Sequence, residues 1–487
     1  MEDVIIIGGG VCGCSLLYAL SRYALRVTLV EKENDVSTGT SKANSGIIHA
    51  GYDPEPGTLM AKYNVEGNPL IYALCETLDV VHKKTGSLVV GFNDRDRAVI
   101  QGLYERGIAN QVPGLRIVEY GELHRMEPHL SKDCVCALYA ETGGVVSPWE
   151  FASAQAEAAV QGGARVRLDT EVTGIRKEGG NFVLATGRGE MESRFVVNAA
   201  GVCSDLVSRM VEPEFFTIHH KRGQYFLMDT ASSYLVNSVI FQCPNENGKG
   251  VIVGPTAHGN LIAGPDNERV RGDDRTNTAA GMDFVRKMAL RSVPDLNFSQ
   301  SIRNFSGVRA DSTLNDFLVG PSERVPGFFN IAGIKSPGLS SSPAIAQDVT
   351  RMLGEAGLKL EKNPRFTAGR RVKRFKYMSV EERRKAAAED PLYGAVICRC
   401  ETVTEGEIVD AFKRPLPPRS LDAVKRRCGA GMGRCQGGFC GPRVLEIAAR
   451  ELSKIRDVPV RPGGIPLDRE GMYIITGETK TPEGKGE

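Results

Sequence analysis

Val4-Ile-Ile-Ile7-Gly8-Gly9-Gly10-Val11-Cys12-Gly13 decides the fold of this chain. A short β-branched run of this kind is buried on both faces when it forms a central parallel strand. It runs directly into a G-x-G-x-x-G, and Ser15-Leu-Leu-Tyr-Ala-Leu20 continues as a helix. Arg26-Val-Thr-Leu-Val30 then supplies a second strand, ending in Glu31. Each part has a physical role. Gly8 makes the tight turn, Gly10 lets a pyrophosphate approach the backbone, and Gly13 lets the helix pack closely on the strand. The helix N-terminus offers N–H groups and a partial positive charge to a diphosphate. Glu31 stands where the hydroxyls of an adenosine ribose would donate. The complete strand–turn–helix–strand–acid unit predicts an α/β dinucleotide-binding domain.

Working outward, Thr40, Ser41, Asn44 and Ser45 form a polar loop just after the acid, placed to return to the pyrophosphate. Phe195-Val-Val-Asn-Ala-Ala-Gly201 reads as a buried strand running into glycine. Phe328-Phe-Asn-Ile-Ala-Gly333 repeats that pattern ahead of Ser336-Pro-Gly338-Leu339. Such returns also occur in ordinary α/β turns. Spread over so much chain, they fit a large cofactor gripped by discontinuous segments, which favours FAD over NAD.

Five of the twelve cysteines lie between residues 398 and 440. In a long intracellular chain such clustering points to metal or redox chemistry rather than disulfides. Cys398-Arg-Cys400 and Cys435-Gln-Gly-Gly-Phe-Cys440 supply two tight pairs, which make either a four-cysteine zinc site or an iron–sulfur cluster. The C-x-C spacing is unusual for zinc, and the glycine-rich second pair offers backbone N–H groups to sulfur. Between the pairs, Thr404 and Glu407 form a capping-box pattern that opens a helix.

At 487 residues and 52.7 kDa the chain is long enough for two or three domains. Its 61 basic and 59 acidic residues nearly cancel, so no global field points to nucleic acid or an anionic membrane. The longest apolar runs are strand-sized, and Met1-Glu-Asp3 lacks the basic start of a signal peptide. A cytoplasmic protein without an integral membrane segment is expected, acting on a small molecule. The basic stretch from Lys362 to Lys376 reads as an exposed linker, and Gly463–Glu487 as a flexible tail or a segment ordered by a partner.

The order of G-x-G-x-x-G, acid, Asn44-Ser45-Gly46-Ile-Ile-His49-Ala-Gly51, Asn198-Ala-Ala-Gly201, Gly307-Val-Arg309 and Ala332-Gly-Ile-Lys-Ser-Pro-Gly338 resembles the D-amino-acid-oxidase-type flavoproteins. More narrowly, it resembles their branch of anaerobic glycerol-3-phosphate dehydrogenases and L-2-hydroxyglutarate oxidases. The segments around Cys398–Thr404 and Gly431–Cys440 resemble bacterioferritin-associated-ferredoxin-type [2Fe-2S] domains, with Cys398, Cys400, Cys435 and Cys440 as ligands and Cys428 at a non-ligand position.

These resemblances imply an α/β (overall α+β) protein with a Rossmann-like FAD-binding domain, an inserted mixed or antiparallel substrate sheet, and a small helical [2Fe-2S] domain. The expected FAD-binding segments are about residues 1–85, 145–213 and 305–355, and the substrate segments about 86–144 and 214–304. A basic linker follows at 356–394, then the [2Fe-2S] domain at 395–455 and a tail at 456–487. FAD would be held non-covalently by Gly8, Gly10, Gly13, Glu31, Thr40, Ser41, Asn44, Ser45, Gly201, Gly333, Gly338 and Leu339.

Oxidation of an alcohol needs a base for the hydroxyl proton and a cation for an anionic substrate. The resemblance places His49 in the first role. Arg309 follows as a planar fork for carboxylate or phosphate, and Lys335 as an ammonium facing the flavin. Lys62 and Arg222 read as supporting or surface cations. The implied reaction is dehydrogenation of a small anionic alcohol, sn-glycerol 3-phosphate or alternatively L-2-hydroxyglutarate. A further alternative is an electron-transfer subunit beside a second flavoprotein. A [2Fe-2S] centre carries one electron at a time, so electrons would pass from FAD through it to an acceptor protein or subunit.

Overall fold

A computed structural model describes residues 1–244, 250–456, 460, 461, 464 and 465. The expected C-terminal tail lies almost wholly outside the described residues. The chain divides into two compact units, Met1–Arg371 and Val372–Glu487.

In the first unit, strand Glu2–Ile7 lies between two parallel neighbours, Val27–Val30 and Gly189–Asn198. Registers such as Ile5↔Val196 and Ile6↔Leu29 bury the β-branched run on both faces, which explains its continuous hydrophobicity. Phe328–Ala332 extends the parallel core beyond Gly189–Asn198, and four further strands bring this sheet to eight. The helix Val11–Ser21 is buried nearly all round, between the helices Pro148–Gln161 and Gly338–Glu355. That accounts for its lack of a polar face.

A second, nine-stranded sheet is largely antiparallel, with Val239–Gln242 and Ser87–Gly91 as a parallel pair. Its two ends come from separated stretches, around residues 87–140 and 218–269, as an inserted sheet requires. One boundary differs from expectation. Strand Ser301–Ser312, which carries Arg309, pairs along its length with Ile218–Met228 and so belongs wholly to this second sheet. Sheet membership is decided by a partner some 80 residues away, which composition does not reveal.

The basic linker is also corrected. Residues 362–371 pack on the first unit: Asn363 Nδ2 donates to the carbonyls of Ser21 and Gly162, and Ala368 accepts from the Tyr18 hydroxyl. The Arg370 side chain is only 9% exposed, with Nη1 2.6 Å from Glu157 and Nη2 3.3 Å from Glu150. Its charge has a specific partner and is not a solvated strap.

In the second unit, helices Val380–Glu389, Glu405–Lys413, Leu421–Cys428 and Gly441–Arg456 accompany a short hairpin of Val396–Cys398 and Val403–Thr404. Ile408, Phe412, Val424, Leu445 and Ala448 form its core. The expected capping box is present. The Glu407 N–H donates to Thr404 Oγ1, and Glu407 Oε2 accepts from the Thr404 N–H at 2.8 Å.

Candidate functional site

The nucleotide cradle is built by close approach. A Cβ on Gly13 would sit 2.0 Å from the Gly8 carbonyl oxygen, so only glycine lets the helix meet the turn. Gly10 differs: a Cβ there would meet nothing closer than Ser41 Oγ at 3.4 Å. Its glycine leaves room on the outer side of the turn, where a pyrophosphate would approach.

Glu31 is buried at the end of its strand, accepting from the Gly9 N–H at 2.6 Å and from the Glu33 N–H at 2.9 Å. Burial pushes its carboxyl up, against the lowering effect of those two N–H groups. Each oxygen keeps a lone pair for a ribose hydroxyl. Glycines, helix terminus and acid together fit a dinucleotide.

The polar loop is used differently from residue to residue. Ser41 Oγ accepts the Val11 N–H at 2.9 Å, tying the loop to the helix start. Thr40 Oγ1 donates to the Val308 carbonyl at 2.5 Å, and Asn44 Nδ2 donates to the carbonyls of Thr40 and Ser41. Thr40 and Asn44 thus shape the loop, and Ser45 is half-buried beside them. Gly201 opens a short helical turn after its strand, Gly333 has φ +67°, and Gly338 with Leu339 begins the helix Gly338–Glu355.

His49 is held by its backbone. Its N–H donates to Ser340 Oγ at 2.8 Å, and its carbonyl accepts from Asn64 at 2.9 Å and Asn68 at 3.0 Å. The ring lies against Phe241, and Nε2 is 2.9 Å from Ser336 Oγ. Sequence reading missed Ser336, Ser340, Asn64 and Asn68. The serines lie in a stretch already assigned to FAD, and the buried asparagines on a helix carried no motif.

Arg309 Nη2 donates to the Asp266 carbonyl at 3.1 Å, and Nη1 lies 3.4 Å from Asn267 Oδ1. The guanidinium passes over Gly223, where a Cβ would come within 2.0 Å of Nη2. Lys335 is not an isolated cation. Its Nζ is 2.5 Å from Asp311 Oδ1, and Lys221 Nζ is 2.5 Å from Asp311 Oδ2. Burial raises the Asp311 carboxyl, but hydrogen bonds from both lysines outweigh it and leave the group lowered. Arg309 and Asp311 alternate on one strand, and Lys221 stands opposite Arg309. The two lysines, the arginine and the aspartate therefore carry a net positive charge between them. Lys62 pairs with Asp348 at 2.9 Å, and the buried Arg222 pairs with Glu268 and Asp274.

In the second unit the thiols meet in two pairs. Cys400 and Cys435 Sγ are 3.7 Å apart, and the Cys398 and Cys440 thiols hydrogen-bond each other. Among the described residues, no three metal-ligating side chains close on one point. Two pairs suit a binuclear cluster with two thiolates per iron, whereas a mononuclear zinc site needs all four sulfurs around one centre.

The hydrogen bond from Cys440 holds the Cys398 thiol down at about 6, favouring the thiolate that metals require. Backbone N–H groups of Gly431 and Glu401 point at Cys398 sulfur, and those of Phe439 and Gly437 at Cys435 sulfur. Cys428 contrasts with these. Its thiol donates to the Val424 carbonyl, and burial pushes it up to about 12.

Comparison with known proteins agrees with this geometry. Residues 3–352 match the family described as FAD dependent oxidoreductase, and residues 396–450 match the BFD-like [2Fe-2S] binding domain. A glycerol 3-phosphate dehydrogenase of Caloramator mitchellensis is 46% identical over 99% of both chains. The solved structure of dithionite-reduced L-alpha-glycerophosphate oxidase from Mycoplasma pneumoniae, with FAD bound, has a TM-score of 0.73. It is 33% identical and covers 76% of this chain and 99% of its own. A mitochondrial L-2-hydroxyglutarate dehydrogenase of Arabidopsis thaliana is 29% identical over 71% of this chain and 82% of its own. With its glycine cradle, buried acid and paired cysteines, the chain belongs to the FAD dependent oxidoreductase family and carries a [2Fe-2S] binding domain at its C-terminal end.

Proposed function

We propose that this protein oxidises sn-glycerol 3-phosphate to dihydroxyacetone phosphate. The observation that carries this reading is the full-length likeness to the Caloramator enzyme, which spans the flavin and cysteine regions alike. FAD, when bound, supplies the two-electron acceptor, and the cluster a one-electron relay. The chain's own residues do the rest. His49 takes the proton of the alcohol at Nε2, the nitrogen that Ser336 already reaches. Arg309 offers a planar fork to the phosphate, and Lys335 adds a cation held in place by Asp311.

Electrons leave for an acceptor protein or partner subunit. The cysteines proposed as cluster ligands must stay reduced to bind iron, which fits a reducing compartment such as the cytoplasm. Among the described residues no helix is long and apolar enough to cross a membrane. The second reading, L-2-hydroxyglutarate, is favoured by the likeness, over 71% of this chain, to the Arabidopsis dehydrogenase. Anaerobic addition of each compound to the FAD-loaded protein separates the two. Glycerol 3-phosphate should bleach the flavin absorbance, and bleaching by L-2-hydroxyglutarate alone would overturn the assignment.

A further inference from the structure

Neighbouring cysteines of each motif part company in the second unit. Cys398 ends the strand Val396–Cys398 in the core, 1% exposed, while Cys400 projects from the following turn into solvent. Cys440 is 3% exposed, and Cys435 is only half-buried. The sulfurs then pair across the motifs, buried with buried and outward with outward. Tetrahedral metal–thiolate bonds of about 2.3 Å put two sulfurs of one metal about 3.8 Å apart. The 3.7 Å between Cys400 and Cys435 matches that edge. Gly433 permits the approach, since a Cβ there would lie 2.3 Å from Cys400 Cβ.

We propose that Cys400 and Cys435 hold an outer iron, that Cys398 and Cys440 hold an inner one, and that the electron added to the cluster resides on the outer iron. The proposal rests on the reading of residues 396–450 as a [2Fe-2S] domain. On reduction one iron passes from ferric to ferrous, the cluster gains one negative charge, and no ligand bond breaks. Both pairs receive backbone N–H bonds, so these do not single out either iron. Water does: a developing negative charge is better stabilised where solvent reaches it. The outer iron is therefore where electrons leave, beside Phe439, which is 91% exposed.

The test uses the full chain, reconstituted anaerobically with 57Fe and sulfide and reduced with dithionite. Mössbauer spectra resolve ferrous from ferric iron, and a serine oxygen alters the component of the iron it joins. Cys400→Ser and Cys435→Ser should alter the ferrous component, and Cys398→Ser and Cys440→Ser the ferric one. The partition is overturned if Cys398→Ser and Cys400→Ser act on the same component, and the electron's placement if the inner pair acts on the ferrous one.

Should a variant fail to assemble a cluster, the unmodified protein still decides. In proton NMR of the reduced state, the cysteine β-protons on ferrous iron shift in the opposite sense with temperature to those on ferric iron. Their Overhauser contacts should run to Gly438 and Phe439. Contacts from the ferrous set to Ile408 and Val444 overturn the placement. Protein that binds no iron and sulfide overturns the cluster reading itself, a result distinct from either of these.

Discussion

At Glu31 the two carboxylate oxygens already accept the N–H groups of Gly9 and Glu33. Glu31→Ala removes the acceptor proposed for the ribose hydroxyls and also strands two donors. The lost charged hydrogen bond costs roughly 1.5–3 kcal/mol, a tenfold to hundredfold weaker hold on FAD. Titration of the apoprotein with FAD measures it, and unchanged affinity would refute the ribose role. At Lys335, substitution by glutamate places an acid against Asp311 and against the phosphate that Lys335 is proposed to hold. Lys335→Glu should abolish flavin bleaching by glycerol 3-phosphate, and Arg309→Ala should disable either candidate substrate. The turn at Gly8, the close packing at Gly13 and the placement of Glu31 at the strand end were legible because each follows from backbone geometry within one short stretch. Asp311 was not, although the alternation Arg309-x-Asp311 on a strand offered a signal. Its importance appears only when Lys221 and Lys335 arrive from elsewhere in the chain.

Elements were legible where a local rule sets them. The Thr404–Glu407 box starts its helix as its spacing predicts, and Thr404→Ala should cost about 1 kcal/mol in denaturant unfolding of the second unit. Strand Ser301–Ser312 was misplaced because only a distant partner determines its sheet. Helices Leu59–Leu78 and Gly338–Glu355 meet through Asp348, which accepts from Tyr63 and Lys62 and also pairs with Arg351. Burial raises its carboxyl, but these partners prevail and hold it near 2. A carboxyl lowered in the folded state stabilises above its unfolded pKa, and that stability is lost as pH falls toward the folded value. The contribution, about 1–2 kcal/mol after allowance for solvent, should fade between about pH 5 and pH 2. Urea unfolding of the wild type and Asp348→Asn across that range should show the gap between them closing as pH falls. A constant gap would remove the pair from the account.

For the molecule as a whole, the two family matches divide the labour between a two-electron and a one-electron centre. Protein stripped of iron should still have its flavin bleached by substrate, while turnover with a one-electron acceptor should collapse. Cys428→Ser should retain iron, since its thiol is engaged with Val424. Both centres were legible in the sequence because each rests on a compact motif. The division at residues 371 and 372 was not, because a basic stretch reads alike whether its arginines are solvated or buried.

Arg370 has a practical consequence for anyone who wishes to separate the flavoprotein half by cloning. A gene fragment trimmed to the family match would end at residue 352 and discard the cation that Glu150 and Glu157 share on the helix Pro148–Gln161. Removing one side of a buried ion pair costs about 3–5 kcal/mol, a large share of a domain's stability. Such a fragment should express poorly or aggregate, and one ending just after Arg371 should not. Insertion or fusion of another reductase module has its natural junction at the same place.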